Sequence, residues 1–174
     1  MAVVNAYTDS NIDATTGQVN KLLNALASGG ARVGAMLATF EVAAADSDGS
    51  IYRVFKDVEP TLVPLAVLIA NDAITGGTDW DVGIYAPDLG DVKVADCISG
   101  GTAIDLSSAH ANLLPGTAAN GFAGLAIDNP RKKIYEYAGD LLATKLGAYD
   151  IALTANTVGS AAGTITVLFL FAQG

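Results

Sequence analysis

The segment Thr164-Ile165-Thr166-Val167-Leu168-Phe169-Leu170-Phe171-Ala172 decides the fold class. Its odd positions, Ile165, Val167, Phe169 and Phe171, are all large and apolar. Side chains two apart on a strand share a face, so this row is the inner face of a half-buried strand. The even row begins polar, with Thr164 and Thr166, and ends apolar, with Leu168 and Leu170. An apolar outer row marks contact with another surface at that end.

The same period of two recurs upstream. Tyr149, Ile151 and Leu153 alternate with Asp150, Ala152 and Thr154; Trp80, Val82 and Ile84 alternate with Asp79, Asp81 and Gly83. Met36, Ala38, Phe40 and Val42 alternate with Leu37, Thr39 and Glu41. Leu62 to Ala70 is apolar at both parities, as in a strand covered on both faces. Pro64 cannot donate to a ladder, so its end of that strand is expected at an edge or a bulge. Asp46-Ser47-Asp48-Gly49-Ser50 reads as a hairpin turn, with Ile51 to Phe55 as the returning strand. Val92 to Ile98 and Ala103 to Leu106 are further short strands, separated by Gly100-Gly101. Residues 107–127, rich in Ala, Gly, Asn and Ser, show no regular period.

One or two short helices are expected. One follows the capping-box spacing of Thr15 and Gln18, places Val19, Leu22, Leu23 and Leu26 on one face, and ends at Gly29-Gly30. The other starts at Pro130 behind Asp128 or Asn129, carries Ile134, Ala138, Leu141 and Leu142 on one face, and closes at Gly147. About eight short strands between glycine-rich turns predict a mainly β chain: an antiparallel β-sandwich or jelly roll over residues 31–174. Residues 1–30 form an N-terminal arm that includes the first helix, with residues 1–14 polar and aperiodic.

Composition narrows the function. Of the 174 residues, 51% are hydrophobic and only 16% charged, which excludes a disordered chain. The mean hydropathy of +0.41 exceeds what one small core needs, and an oligomer or a larger assembly would absorb the excess. A formal net charge of −9 opposes binding to nucleic acid or to an anionic membrane surface. The single cysteine, Cys97, allows no intrachain disulfide and fits assembly in a reducing cytoplasm. The N-terminal residues have neither the basic flank nor the apolar run of a secretory signal. No apolar run approaches the roughly 20 residues of a membrane helix.

Catalytic chemistry finds little to use. His110 is the only histidine, so any Ser-His-Asp or Cys-His site would require it, and its Ala/Ser/Asn surroundings read as a polar loop. Cys97 reads as a small buried hydrophobe with no second Cys or His spaced for zinc. Asp46-x-Asp48-Gly49 opens like a calcium loop, but the twelfth position is Asp57, not glutamate. Asp79 and Asp81 share a strand face, where a glycosidase pair would need one raised pKa; a solvated face opposite a buried Trp80 is the plainer reading. No phosphate-binding glycine pattern is present. The expectation is no enzyme, no cofactor and no metal. Arg131-Lys132-Lys133 at a helix start opposes the helix dipole, and reads either as a solvated face or as a cluster meeting an acidic patch on a neighbouring subunit.

The stretch from Val67 to Tyr85, with Ala70-Asn71-Asp72-Ala73-Ile74-Thr75-Gly76-Gly77-Thr78-Asp79-Trp80-Asp81 at its centre, resembles small virion-associated proteins of tailed bacteriophages. So do Tyr149 to Thr157 and Ala161 to Ile165. Some of that group are jelly-roll or β-sandwich decoration (cement) proteins. The resemblance spans about residues 33–172 and implies a role: binding the outer capsid surface as a dimer or trimer, with the major capsid protein as partner, and bridging capsomers. It implies a place on the virion after assembly in the bacterial host cytoplasm. The contact residues expected are Val3, Val4 and Tyr7 in the arm, Arg131, Lys132 and Lys133, and the outer-row Leu168 and Leu170. The competing reading is a carbohydrate- or receptor-binding module of a head fibre or tail, with Trp80, Tyr85 and residues 107–127 as its platform.

Overall fold

The computed structural model describes residues 5–7, 22–24, 32–101, 103–110, 122–123 and 132–173. The strands among them are β1 (Asn5–Tyr7), β2 (Leu22–Asn24), β3 (Arg32–Val42), β4 (Ser50–Val58), β5 (Val63–Asn71), β6 (Asp79–Tyr85), β7 (Val92–Val94), β8 (Phe122–Ala123), β9 (Tyr149–Thr157) and β10 (Gly163–Gln173). They form two five-stranded sheets, ordered β1-β4-β9-β6-β7 and β2-β3-β10-β5-β8.

The pairing is nested. β3 pairs with β10, β4 with β9, β5 with β8 and β6 with β7, all antiparallel. The chain from β3 to β10 is therefore one long hairpin with its tip between β6 and β7. Away from the β6–β7 tip, successive strands from β3 to β10 switch sheets, so the hairpin is rolled up, and the roll is closed by antiparallel contacts of β10 with β5 and of β9 with β6. This is a jelly-roll β-sandwich. β1 is added in parallel beside β4, and β2 antiparallel beside β3.

Inward rows from both sheets meet in the core. Ile165, Val167, Phe169 and Phe171 are buried, as their alternation predicts. Phe169 of the second sheet lies 5.9 Å from Phe55 of the first, ring centre to ring centre. Phe40, Tyr52 and Trp80 stack in series at 5.2 and 5.6 Å. Gly83 is required where residues 94–95 cross β6, since a Cβ there would stand 2.2 Å from the Ala95 carbonyl oxygen.

Several local expectations are corrected. Leu22–Asn24 is not helical but pairs with Val33–Ala35, because adjacent leucines suit a strand as well as a helix and the β3 edge offers backbone partners. The rest of that expected helix, and residues 1–4 and 8–14 of the arm, lie outside the described residues. Within the arm, Asn5–Tyr7 is strand rather than irregular chain. The Asp-Gly turn forms, with Gly49 at φ +84°, but it is a corner rather than a hairpin: β3 and β4 belong to different sheets. Pro64 sits beside a register shift between Leu170 and Phe171, the bulge its missing donor demands. Beyond Val94 the chain turns, and Ile104 contributes only a single bridge to Trp80. Within 107–127, Phe122–Ala123 is the short strand β8.

The second expected helix is a single turn, α1 (Ile134–Tyr137). Glu136 reaches back to the Lys133 backbone N–H at 2.6 Å. Gly139, at φ +76°, then ends it: its N–H donates to Glu136 O and the Asp140 N–H to Tyr135 O. That is a Schellman motif eight residues before Gly147. Leu141 and Leu142 therefore leave the helix face and stand 71% and 65% exposed.

Candidate interaction surface

The outer face of the second sheet has a gradient written into its register. β10 lies between β3 and β5, so each outward residue of β10 has a neighbour on both sides. From one end, the rows read Val33–Ala172–Val63, Ala35–Leu170–Ala66 and Leu37–Leu168–Leu68. Next come Thr39–Thr166–Ala70, and then Glu41 beside Thr164. The two threonine hydroxyls of the fourth row are 2.9 Å apart. Thr164 donates its hydroxyl to Glu41 and its N–H to Asp72. The first three rows contain no ionisable side chain. Val33, Leu37 and the bulged Leu65 are 51%, 39% and 42% exposed, and Leu168 and Leu170 are half-buried.

Leu168 and Leu170, expected as contacts, thus lie at the centre of a larger apolar face. Val33, Ala35, Leu37 and Leu65 belong to it and were legible only in part. Ala35-Leu37-Thr39-Glu41 repeats, in the opposite chain direction, the switch seen from Leu170 to Thr164. At the polar end, a shallow cleft of about 190 Å³ is lined by Ala70, Asn71, Asp72, His110, Thr164 and Thr166. The Asn71 side chain does not serve it. Asn71 is opposite the inward Ile165, and its amide nitrogen donates to the carbonyls of Asp72, Leu106 and Ser108.

A second exposed apolar group, Leu89, Val92, Leu141 and Leu142, lies where the Lys93–Asp140 ion pair at 3.4 Å joins β7 to the turn after α1. Of the basic run, Arg131 lies outside the described residues. Lys132 is half-buried with its ammonium 4.9 Å from the Tyr137 ring centre, and Lys133 supplies the backbone N–H that Glu136 caps. Val3 and Val4 also lie outside the described residues. Tyr7 ends β1, paired with Arg53.

The residues weighed for chemistry are brought together with structural partners instead. The Asn156 amide donates to Asp79 and Asp81 at 3.2 and 2.8 Å, and Ser99 Oγ donates to Asp81. Asp46 accepts from the Ala43 N–H and the Tyr52 hydroxyl, and Asp48 from the Val158 N–H, which braces the corner. His110 bridges Asn71 through its backbone. Trp80 and Tyr85 are 0% and 1% exposed, so neither ring is available as a carbohydrate platform. Among the described residues no group of three or more His, Cys, Asp and Glu stands ready for a metal.

Burial is the leading cause of every upward shift at Cys97 and the core tyrosines. It pushes the Cys97 thiol up to about 12, and burial with the hydrogen bond to Asp140 does the same for Tyr149. Tyr52, Tyr85 and Tyr137 are raised for the same first reason. These groups are neutral when folded and ionise more easily when unfolded. Their stabilisation is whole below the unfolded thiol's 9.0 and is lost as pH climbs towards 12. Melting temperatures measured from pH 7 to 12 are expected to hold and then fall above about 9. Native Cys97 is expected to react with iodoacetamide at pH 8 far more slowly than the unfolded chain. Equal labelling rates in the two states would contradict the burial argument.

No protein-family model matches the sequence, and no curated protein does. Solved structures do. The chain is similar to one from the capsid of Ralstonia phage GP4. The alignment covers 100% of this chain and 99% of that one, with a TM-score of 0.52 and 16% identity. A chain of the cyanophage Pam1 capsid asymmetric unit aligns over 83% of this chain and 86% of its own, at TM-score 0.41 and 15% identity. What this chain shares with the GP4 chain, at that identity, is the fold.

Proposed function

We propose that this chain is a structural virion protein, a decoration (cement) protein that binds the outer surface of a tailed-phage capsid and bridges capsomers, without catalytic activity. The observation that carries this reading is the end-to-end fold likeness to a chain from the Ralstonia phage GP4 capsid. The neutral apolar face on an acidic jelly roll supports docking rather than chemistry. Its partners are the major capsid protein and further copies of itself, as a homodimer or homotrimer. It assembles in the host cytoplasm and resides on the virion.

The mechanism is mechanical. Each contact is weak, but contacts repeated by capsid symmetry act together, so occupancy exceeds what one site would give. The arm with Val3, Val4 and Tyr7, and the basic Arg131, Lys132 and Lys133 facing acidic groups of a neighbour, extend the contact area. The test is co-sedimentation with empty capsids of its own phage, followed by heating. Saturable binding and a higher capsid disruption temperature are expected, both reduced when residues 1–14 are deleted. Absence of binding at saturating protein, with capsid stability unchanged, overturns the reading.

A further inference from the structure

We infer that two neighbouring turns, residues 86–91 and 140–146, form a rigid leucine-tipped knob that seats in an apolar socket of a partner protein, and that the socket is rimmed by basic side chains. The inference rests on the capsid-binding role proposed above, because it names the surface of this chain that meets the capsid.

The first turn is the tip of the rolled hairpin. The Gly90 N–H donates to the Pro87 carbonyl at 3.0 Å, and the two central residues, Asp88 and Leu89, have φ +57° and +58°. A turn with both central residues left-handed favours Asn or Asp followed by glycine. Leucine holds the glycine position here, and it is 44% exposed. The fold gains no core packing from it and carries its backbone strain. The second turn presents Leu141 and Leu142, the two most exposed large apolar residues among those described. Its backbone is tied off locally. The Thr144 and Lys145 N–H groups donate to the Leu141 carbonyl at 3.0 and 2.8 Å, and the Leu141 N–H donates to Thr144 Oγ1 at 3.1 Å. The Lys93–Asp140 ion pair sets the two turns side by side, with Val92 next to one member and Leu141 next to the other.

Both turns are anchored from beneath. Arg53 donates to the carbonyls of Ala86 and Gly90. Asp140 accepts from the Tyr149 hydroxyl, which in turn accepts the Leu146 N–H at 3.0 Å. Leucines held on a fixed backbone lose little freedom on docking.

Shape and charge then choose the occupant. Side chains that stand this far out of the surface are covered only by a concave partner. The cleft beside Thr166 has Asp72 and His110 in its walls, so it is no seat for leucine. Two knobs pressed tip to tip would leave their flanks in water. Asp88 and Asp91 are exposed, and neither has an ion-pair partner among the described residues. They outnumber the half-buried Lys145 on the second turn. With the net charge of −9, they oppose entry into a bilayer and approach by a second copy. Basic side chains around an apolar socket complement both the leucines and the aspartates.

The test is co-sedimentation of the purified full chain with empty capsids of its own phage at several salt concentrations, with thermal melting of each variant as the folding control. Wild type is expected to bind. Leu142→Ser and Leu89→Gly are each expected to weaken binding about tenfold or more. Leu142→Ser should melt as wild type does. Leu89→Gly should melt at the same temperature or higher, since it supplies the Asp-Gly pair that the turn favours. A leucine kept for the fold would not give lost binding with stability intact. Asp88→Asn/Asp91→Asn is expected to weaken binding at low salt and to flatten its salt dependence. Wild-type binding that the leucine variants retain, or that the aspartate variant retains at low salt, overturns the inference and leaves the capsid reading standing. Wild type that binds no capsid overturns the capsid reading and the inference with it. Flotation of the free protein with phosphatidylcholine vesicles, or a monomer–dimer equilibrium in sedimentation, either one abolished by Leu142→Ser, also overturns the inference and assigns the knob to a bilayer or to a second copy.

Discussion

Replacing Asp150 with alanine is expected to remove about 3–5 kcal/mol of folding stability, because it takes away the carboxylate that faces the buried Arg53 guanidinium. Both side chains are fully buried, and Arg53 Nη1 lies 3.0 Å from Asp150 Oδ2. The arginine does more than pair. Nη1 also donates to the Ala86 carbonyl at 2.7 Å, Nη2 donates to the Gly90 carbonyl, and the guanidinium carbon stands 5.1 Å from the Tyr85 ring centre. Ala86 and Gly90 flank the tip of the rolled hairpin, where Asp88 and Leu89 hold positive φ. Arg53 thus ties that tip to the middle of the first sheet. Asp150 uses its other oxygen to accept the Asp57 N–H at 3.1 Å, at a residue of φ +53° beside the irregular end of β4. At about 2–4 °C per kcal/mol for a chain of this size, the melting temperature should fall by on the order of 10 °C. Urea unfolding of Asp150→Ala, Arg53→Met and the Arg53→Met/Asp150→Leu double variant measures the effect. The double variant is expected to be less destabilised than either single, since it removes both charges from the core together. Singles that lose less than about 1 kcal/mol would mean that solvent reaches the site.

That pair was not legible in the sequence, and the reason is physical. Asp150 falls at an outer position of the Tyr149–Ile151–Leu153 alternation, which reads as solvent-facing. Inside the roll, the tip turn and residues 94–99 cover that face of β6 and β9, so Asp150, Ala152 and Thr154 are buried too. Period-two reasoning identifies which residues share a face. Whether a second layer covers the other face depends on contacts far apart in the chain. Gly83 and Tyr85 carry the same hidden information: both lie under covering chain, and the Tyr85 hydroxyl bonds to Thr154.

The sandwich itself was legible because β3, β5, β6, β9 and β10 carry an alternation or a doubly apolar run over about seven residues, and the Asp-Gly turn announced β4. The nested order was not, since local pattern cannot distinguish a hairpin from a corner. Gly49 adopts the predicted positive φ in either case, and what separates β3 from β4 is the competition of β10 and β9 for their edges. The short helix failed for a comparable reason. The apolar spacing of Ile134, Ala138, Leu141 and Leu142 suits a helix, but Gly139 takes the left-handed C′ geometry, and the hydrogen bonds of Gly139 and Asp140 close the turn first. The interaction face was half legible: one strand showed the apolar switch, and only the register with β3 and β5 turned it into a surface.

Phe169→Ala and Leu168→Ala, neighbours in sequence, are expected to differ by several kcal/mol. Phe169 is fully buried between the sheets, against Phe55 at 5.9 Å and Phe171 at 5.6 Å. Truncating it removes the transfer energy of the ring and leaves a cavity that two rigid sheets cannot close, a loss of about 3–5 kcal/mol. Leu168 points the other way, half-buried in the row between Leu37 and Leu68. Its truncation should cost the fold about 1 kcal/mol or less in dilute protein. Equilibrium unfolding at low concentration separates the two, because a dimer stabilised by mass action would otherwise mask the difference. The same pair of variants then divides fold from function. A chain weakened at Phe169 melts early but keeps the relief of its outer face, whereas one altered at Leu168 melts normally with that face changed. If both variants melted alike, the strand would not present two distinct faces, and the outer surface would lose its standing as a place where anything docks.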